Sequence, residues 1–112
     1  MAVTYLIRFS VKAGERKRFL DLLNGVLDEM RGEANFRAAT LYVDPDHTDT
    51  FLLQETWADH QDVLDVQLHR PYRAAWHEAL PNLLERPREI SIWRPLRSDL
   101  SASAGEVGSG YD

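Results

Sequence analysis

The 112-residue sequence predicts an α+β domain with the order strand, helix, strand, strand, helix, strand. Three observations carry that expectation. Residues 3 to 12 alternate between apolar and polar, residues from Phe19 to Met30 repeat at helical spacing, and a second alternating run from Phe51 to Trp57 leads into an acid-capped helix.

In the first run, Val3, Tyr5, Ile7, Phe9 and Val11 share one face, and Thr4, Leu6, Arg8, Ser10 and Lys12 the other. Leu6 among the polar set implies that the second face is partly covered too. Gly14 ends the strand, and Phe19, Leu22, Leu23, Val26, Leu27 and Met30 then follow the i, i+3, i+4, i+7 pattern of an amphipathic helix. Arg31 to Asn35 supplies the helix stop. Phe36 to Val43 resumes as a strand, which Asp44-Pro45-Asp46 closes by turn chemistry.

The third strand runs from Thr50 to Trp57 and sets Phe51, Leu53, Glu55 and Trp57 on one face, so Glu55 falls among bulky apolar neighbours. Asp59 with Asp62 forms a capping arrangement for a helix through Val63, Leu64 and Leu68 that reaches His69. Pro71 suits the first turn of a continuation carrying Tyr72, Trp76, Ala79, Leu80 and Leu83, with Pro81 expected to kink or break it. Arg88 to Arg94, with Ile90 and Ile92 alternating, is a last short strand. Residues 1–97 thus form one domain, and Ser98 to Asp112, rich in Ser, Gly and Ala, is expected to be a flexible or partner-contacting tail. The element order is that of the ferredoxin-like split βαβ fold (β-α-β-β-α-β). Its second apolar sheet face would be covered most simply by an identical subunit on a two-fold axis.

Composition narrows the function. With 44% hydrophobic and 28% charged residues the chain reads as an ordinary globular protein, and a net charge of −5 argues against nucleic acid and against anionic membranes. No run approaches the roughly 18 consecutive apolar residues of a membrane helix, and no signal-peptide pattern opens the chain, so a cytoplasmic location is expected. The absence of cysteine excludes disulfides, thiolate catalysis and Cys-ligated metal. The four histidines include no His-x-x-x-His pair, so no metal site is expected.

Strand one leading to Lys12-Ala13-Gly14-Glu15, the long helix ending near Glu33, Phe51-Leu52-Leu53-Gln54-Glu55-Thr56-Trp57-Ala58-Asp59 and the downstream His69 together resemble the antibiotic biosynthesis monooxygenase family. The resemblance covers roughly residues 3 to 95 and implies a dimeric α+β barrel of quinol monooxygenase-like type. The family includes cofactor-free oxygenases of phenolic, anthrone or quinol substrates, haem-degrading enzymes and a sugar-phosphate isomerase. The haem-degrading branch uses an Asn on the first strand, and this first strand has none.

Oxygenation without a cofactor requires a substrate that can itself give an electron to dioxygen. The protein must deprotonate an electron-rich ring and hold the anion away from water. His69 is the expected base, since imidazole titrates near neutrality; alternatively it caps helix-end carbonyls. Trp57 offers an indole N–H to a substrate oxygen, or else is a core aromatic with a satisfied N–H. Asn35 is a third catalytic candidate, or a turn residue. Glu55, if enclosed, would have a raised pKa and serve as the base instead; otherwise it pairs with Arg8, Arg37 or Arg73. Tyr72 and Trp76, four apart on the last helix, line the pocket or the core, whereas His47 and His60 fall in turns facing solvent. The reading is a cofactor-independent monooxygenase taking a small quinol or phenolic substrate and dioxygen, working as a homodimer. Isomerisation of a small oxygenated metabolite and non-catalytic ligand binding are the alternatives.

Overall fold

A computed structural model describes residues 1–102. Four strands, β1 (Val3–Ser10), β2 (Phe36–Val43), β3 (Thr50–Trp57) and β4 (Glu89–Trp93), form one sheet in the order β2-β3-β1-β4, with every neighbouring pair antiparallel. Helix α1 (Arg16–Met30) carries the chain from β1 across to β2, and β3 fills the place between them. This is the split βαβ arrangement of the ferredoxin-like fold.

Helix α1 starts after a turn in which Glu15 N–H donates to the Lys12 carbonyl, and Gly14 supplies the left-handed residue at φ +85° that a side chain would strain. It buries Phe19, Leu23, Val26 and Met30 on the sheet. Phe19 anchors an aromatic cluster, with ring centroids 5.1 Å from Phe9, 5.0 Å from Phe51 and 5.5 Å from Trp76. Each such buried side chain contributes roughly 1.5–3 kcal/mol, so this cluster is the mechanical centre of the fold.

Helix α2 (His60–Asp65) begins as its sequence requires: Asp62 N–H donates to Asp59 Oδ2 at 3.0 Å. It stops sooner than expected. Short 3-10 turns at Gln67–His69 and Pro71–Arg73 separate it from α3 (Ala74–Leu83). The break falls at Arg70, whose ψ of 133° is the extended conformation imposed by the following proline. Pro81 breaks nothing, because it sits in the last turn of α3, where only one backbone bond is forfeited.

Register decides which side chains meet. Tyr5 pairs with Glu55 and Ile92, and Ile7 with Leu53 and Ile90, so all six lie on the face beneath the helices. Leu6, Tyr42, Leu52 and Trp93 lie on the opposite face, where Tyr42 and Trp93 are largely exposed. Residues 98 to 102 carry no helix or strand, and the remainder of the expected tail lies outside the described residues. Among the described residues no helix is long and apolar enough to cross a membrane.

Candidate active site

Between the helix-side face of the sheet and the helices α1, α2 and α3 lies a cavity of about 220 Å³. Its walls are mainly apolar, with Ile7, Phe9, Leu53, Val63 and Trp76 among them. Exposed portions of Leu64, Leu68, Ile90 and Ile92 mark its mouth between α2 and β4. Tyr5, Glu55, His60, Arg73, His77 and Arg88 are the polar groups that converge on it.

Glu55 is central to that group. Its carboxylate is only 6% exposed and accepts a hydrogen bond from Trp57 Nε1 at 3.0 Å. Burial raises its pKa above the ordinary carboxyl range, and the Trp57 bond with the charges of Arg73 and Arg88 offsets this only in part. Arg73, also 6% exposed, stands over the Trp57 ring at 5.9 Å and the Tyr72 ring at 5.8 Å. Its Nε and Nη2 find no hydrogen-bond acceptor among the described residues. Buried donors normally have partners, so these two are poised for a ligand acceptor.

Tyr5 Oη lies 2.7 Å from His60 Nδ1. Burial, with the nearby charges of Glu55 and Asp59, pushes the phenol up to about 12, so it keeps its proton at neutral pH. With the phenol as donor, His60 Nδ1 is the acceptor of this bond. His77 is pulled below the ordinary imidazole value by burial and by the charges of Arg88 and Arg73, so it is neutral at pH 7.

The residues expected from sequence divide sharply. Glu55 and Trp76 line the cavity. Trp57 is fully buried beside it, and its N–H is occupied by Glu55 rather than free for a substrate. His69 ends a 3-10 turn with its side chain exposed and is not among the residues lining the cavity. Asn35 hydrogen-bonds the Asp62 side chain and, through its carbonyl, the Ala58 N–H, so it ties β3 to α2. Tyr72 donates to Glu33 Oε2 at 2.9 Å and, with Arg70, ties α3's approach to the end of α1. Of the arginines considered for Glu55, Arg8 and Arg37 are exposed and Arg73 is the one near it.

His60, expected in solvent, lines the cavity because β3 delivers it directly to the first turn of α2, beneath Tyr5. Arg88 was not singled out at all. It sits in the α3 to β4 connection, and only the pairing of β4 with β1 brings it over the cavity.

These features define the class: a ferredoxin-like α+β domain enclosing an apolar site with a buried carboxyl and guanidinium. The chain belongs to the antibiotic biosynthesis monooxygenase family, whose model matches residues 2–83. It is 27% identical over 93 residues to a putative monooxygenase of Pestalotiopsis microspora, covering 82% of this chain and 78% of that protein. It is 29% identical over 84 residues to the uncharacterized protein sll1783 of Synechocystis, covering 75% of this chain and 56% of that longer relative. Among solved structures, Rv0793 of Mycobacterium tuberculosis superposes with a TM-score of 0.79 at 23% identity, covering 88% of this chain and 98% of that one. SnoaB of Streptomyces nogalater, a cofactor-independent oxygenase, superposes with a TM-score of 0.73 at 22% identity, covering 87% and 95%. At these identities the two structures establish the shared fold.

Proposed function

We propose that this protein is a cofactor-independent monooxygenase that oxidises a one- or two-ring quinol or phenol inside the cavity beneath α2 and α3. The observation that carries this reading is the convergence of a buried, pKa-raised Glu55 and a buried Arg73 with two unsatisfied N–H donors in an otherwise apolar chamber. A dry cavity of about 150 Å³ holds a benzene ring. The present 220 Å³ therefore suits one or two rings better than three.

Glu55 serves as the base that removes the ring hydroxyl proton. A carboxyl whose pKa is raised by burial is a stronger proton acceptor than one in water. Arg73 holds the resulting phenolate oxygen through Nε and Nη2, in a setting where water cannot screen the charge. The electron-rich anion then reduces dioxygen itself. For a phenol the balance is ring-OH plus O2 giving quinone plus water: one oxygen atom enters the ring, the other leaves as water with the hydroxyl hydrogen and the hydrogen of the attacked ring carbon, and the ring supplies the electrons. No external reductant enters. The protonated Tyr5 and its partner His60 are placed to donate as the peroxide O–O bond breaks, and Glu55 takes the base role expected of His69.

The protein works as a homodimer in this reading, its partner covering Leu6, Tyr42, Leu52 and Trp93 on the outer sheet face. The test of function is oxygen uptake with 1-naphthol and a panel of one- to three-ring quinols in metal-chelated buffer. Uptake by the native protein that vanishes in Glu55→Gln supports the proposal. Turnover that continues anaerobically would replace it with isomerase chemistry.

A further inference from the structure

A second hollow, about 610 Å³, lies on the outer side of α3, where Leu80, Pro81, Leu84 and Pro87 give it apolar walls. It shares Leu68, His77 and Arg88 with the inner cavity, so those three side chains form the junction between the two spaces. Arg88 lies beyond residue 83, where the family match ends.

The charges around the inner cavity do not balance. Arg73 and Arg88 contribute two guanidinium charges against the single carboxyl of Glu55, which leaves one positive charge when Glu55 is ionised and two when it is not. No carboxylate among the described residues lies within ion-pair distance of Arg88, and Arg73 is near enough to destabilise its charge further. Two half-compensated cations facing one apolar space form an anion site, since desolvated charge is stabilised chiefly by a partner of opposite sign.

From this arrangement we infer that the ligand is an aromatic acid whose ring fills the inner cavity and whose carboxylate sits on Arg88 at the junction with the outer hollow. The inference rests on the ring-binding reading above and specifies its substrate class. The planar fork of a guanidinium matches a carboxylate in a bidentate pair, which a neutral ring substituent cannot reproduce. Arg73 is left for the ring hydroxyl, so the two arginines fix the ring at two points. Substituents carried beyond the carboxylate would extend into the outer hollow.

The experiment is calorimetric titration in oxygen-free buffer with 1-hydroxy-2-naphthoate, its methyl ester and 1-naphthol, using the native chain and Arg88→Gln. The acid is expected to bind at least tenfold more tightly than the ester. Arg88→Gln should abolish that preference and leave 1-naphthol within twofold of its native affinity. Added salt should weaken the acid and spare the ester, an outcome readable on the native protein should the variant fold poorly. Equal affinity of acid and ester, an acid that does not bind, or a preference that survives in Arg88→Gln would each overturn the inference, as would a uniform loss for all three ligands. Because no turnover occurs without oxygen, the acid preference can hold even where oxygen uptake fails, and the two proposals fall separately.

Discussion

Replacing Glu55 by Gln separates the two roles that a buried carboxyl can have. The amide has nearly the same shape and can still accept the 3.0 Å hydrogen bond from Trp57 Nε1, so the change removes the charge and little else. Because burial raises the pKa of Glu55, the native state holds this proton to higher pH than the unfolded chain does. The stability it contributes is therefore fully present below the ordinary carboxyl range and is lost as pH rises through the raised native value. Ionising a carboxyl whose native pKa is raised costs free energy, about 1.4 kcal/mol per pH unit between the native and unfolded values, and a neutral amide is spared that cost. Here the Trp57 bond and the two nearby arginines favour the charge and offset part of the burial cost, which keeps the gain small, about 1 kcal/mol. For a domain of this size that raises Tm by roughly 4–8 °C. Thermal unfolding followed by circular dichroism at pH 4 and pH 8 measures it: Glu55→Gln should match the native protein at pH 4, exceed it at pH 8, and lose oxygen uptake by at least about 100-fold, the lower range for removal of a general base. A variant that melts lower than the native protein at pH 8 would refute the reasoning, because Glu55 would then be a stabilising ion-pair partner of Arg73.

Trp57→Phe removes the charge-assisted bond to Glu55 and should destabilise the fold by roughly 1.5–3 kcal/mol at pH 8, with a smaller loss at pH 4, as read from urea midpoints. Arg73→Met removes a buried guanidinium that offsets the charge of Glu55, and should eliminate uptake and lower Tm at pH 8 more than at pH 4. Phe19→Ala, at the centre of the aromatic cluster, should cost about 3–5 kcal/mol in chemical denaturation. His69→Ala should retain uptake within twofold, whereas His60→Ala, which deprives Tyr5 of its partner, should lower kcat.

The strands were legible because alternation is a local property: Phe36–Val43 and Thr50–Trp57 have the bounds that periodicity sets, and the Asp59 cap stands where its chemistry requires. The parity argument also set Glu55 on the covered face. The site itself was only half legible. His60 and Arg88 owe their positions to strand register and to the β1–β4 pairing, neither of which leaves a local mark in the sequence. His69 looked like a pocket residue on the expectation of a continuous helix, and the proline-imposed turn at Arg70 instead leaves it on the surface. Arg73 was visible as one of three possible partners of Glu55. Its distinction from Arg8 and Arg37 is burial, which follows from the 3-10 turn that aims it inward.

The central claim, that Glu55 and Arg73 support oxygenation with no cofactor, is tested most directly by isotope. In metal-chelated buffer under 18O2, 1-naphthol should give 1,4-naphthoquinone carrying one labelled oxygen, with one O2 consumed per quinone formed. Unlabelled product, or labelled product formed equally by Glu55→Gln, would contradict it.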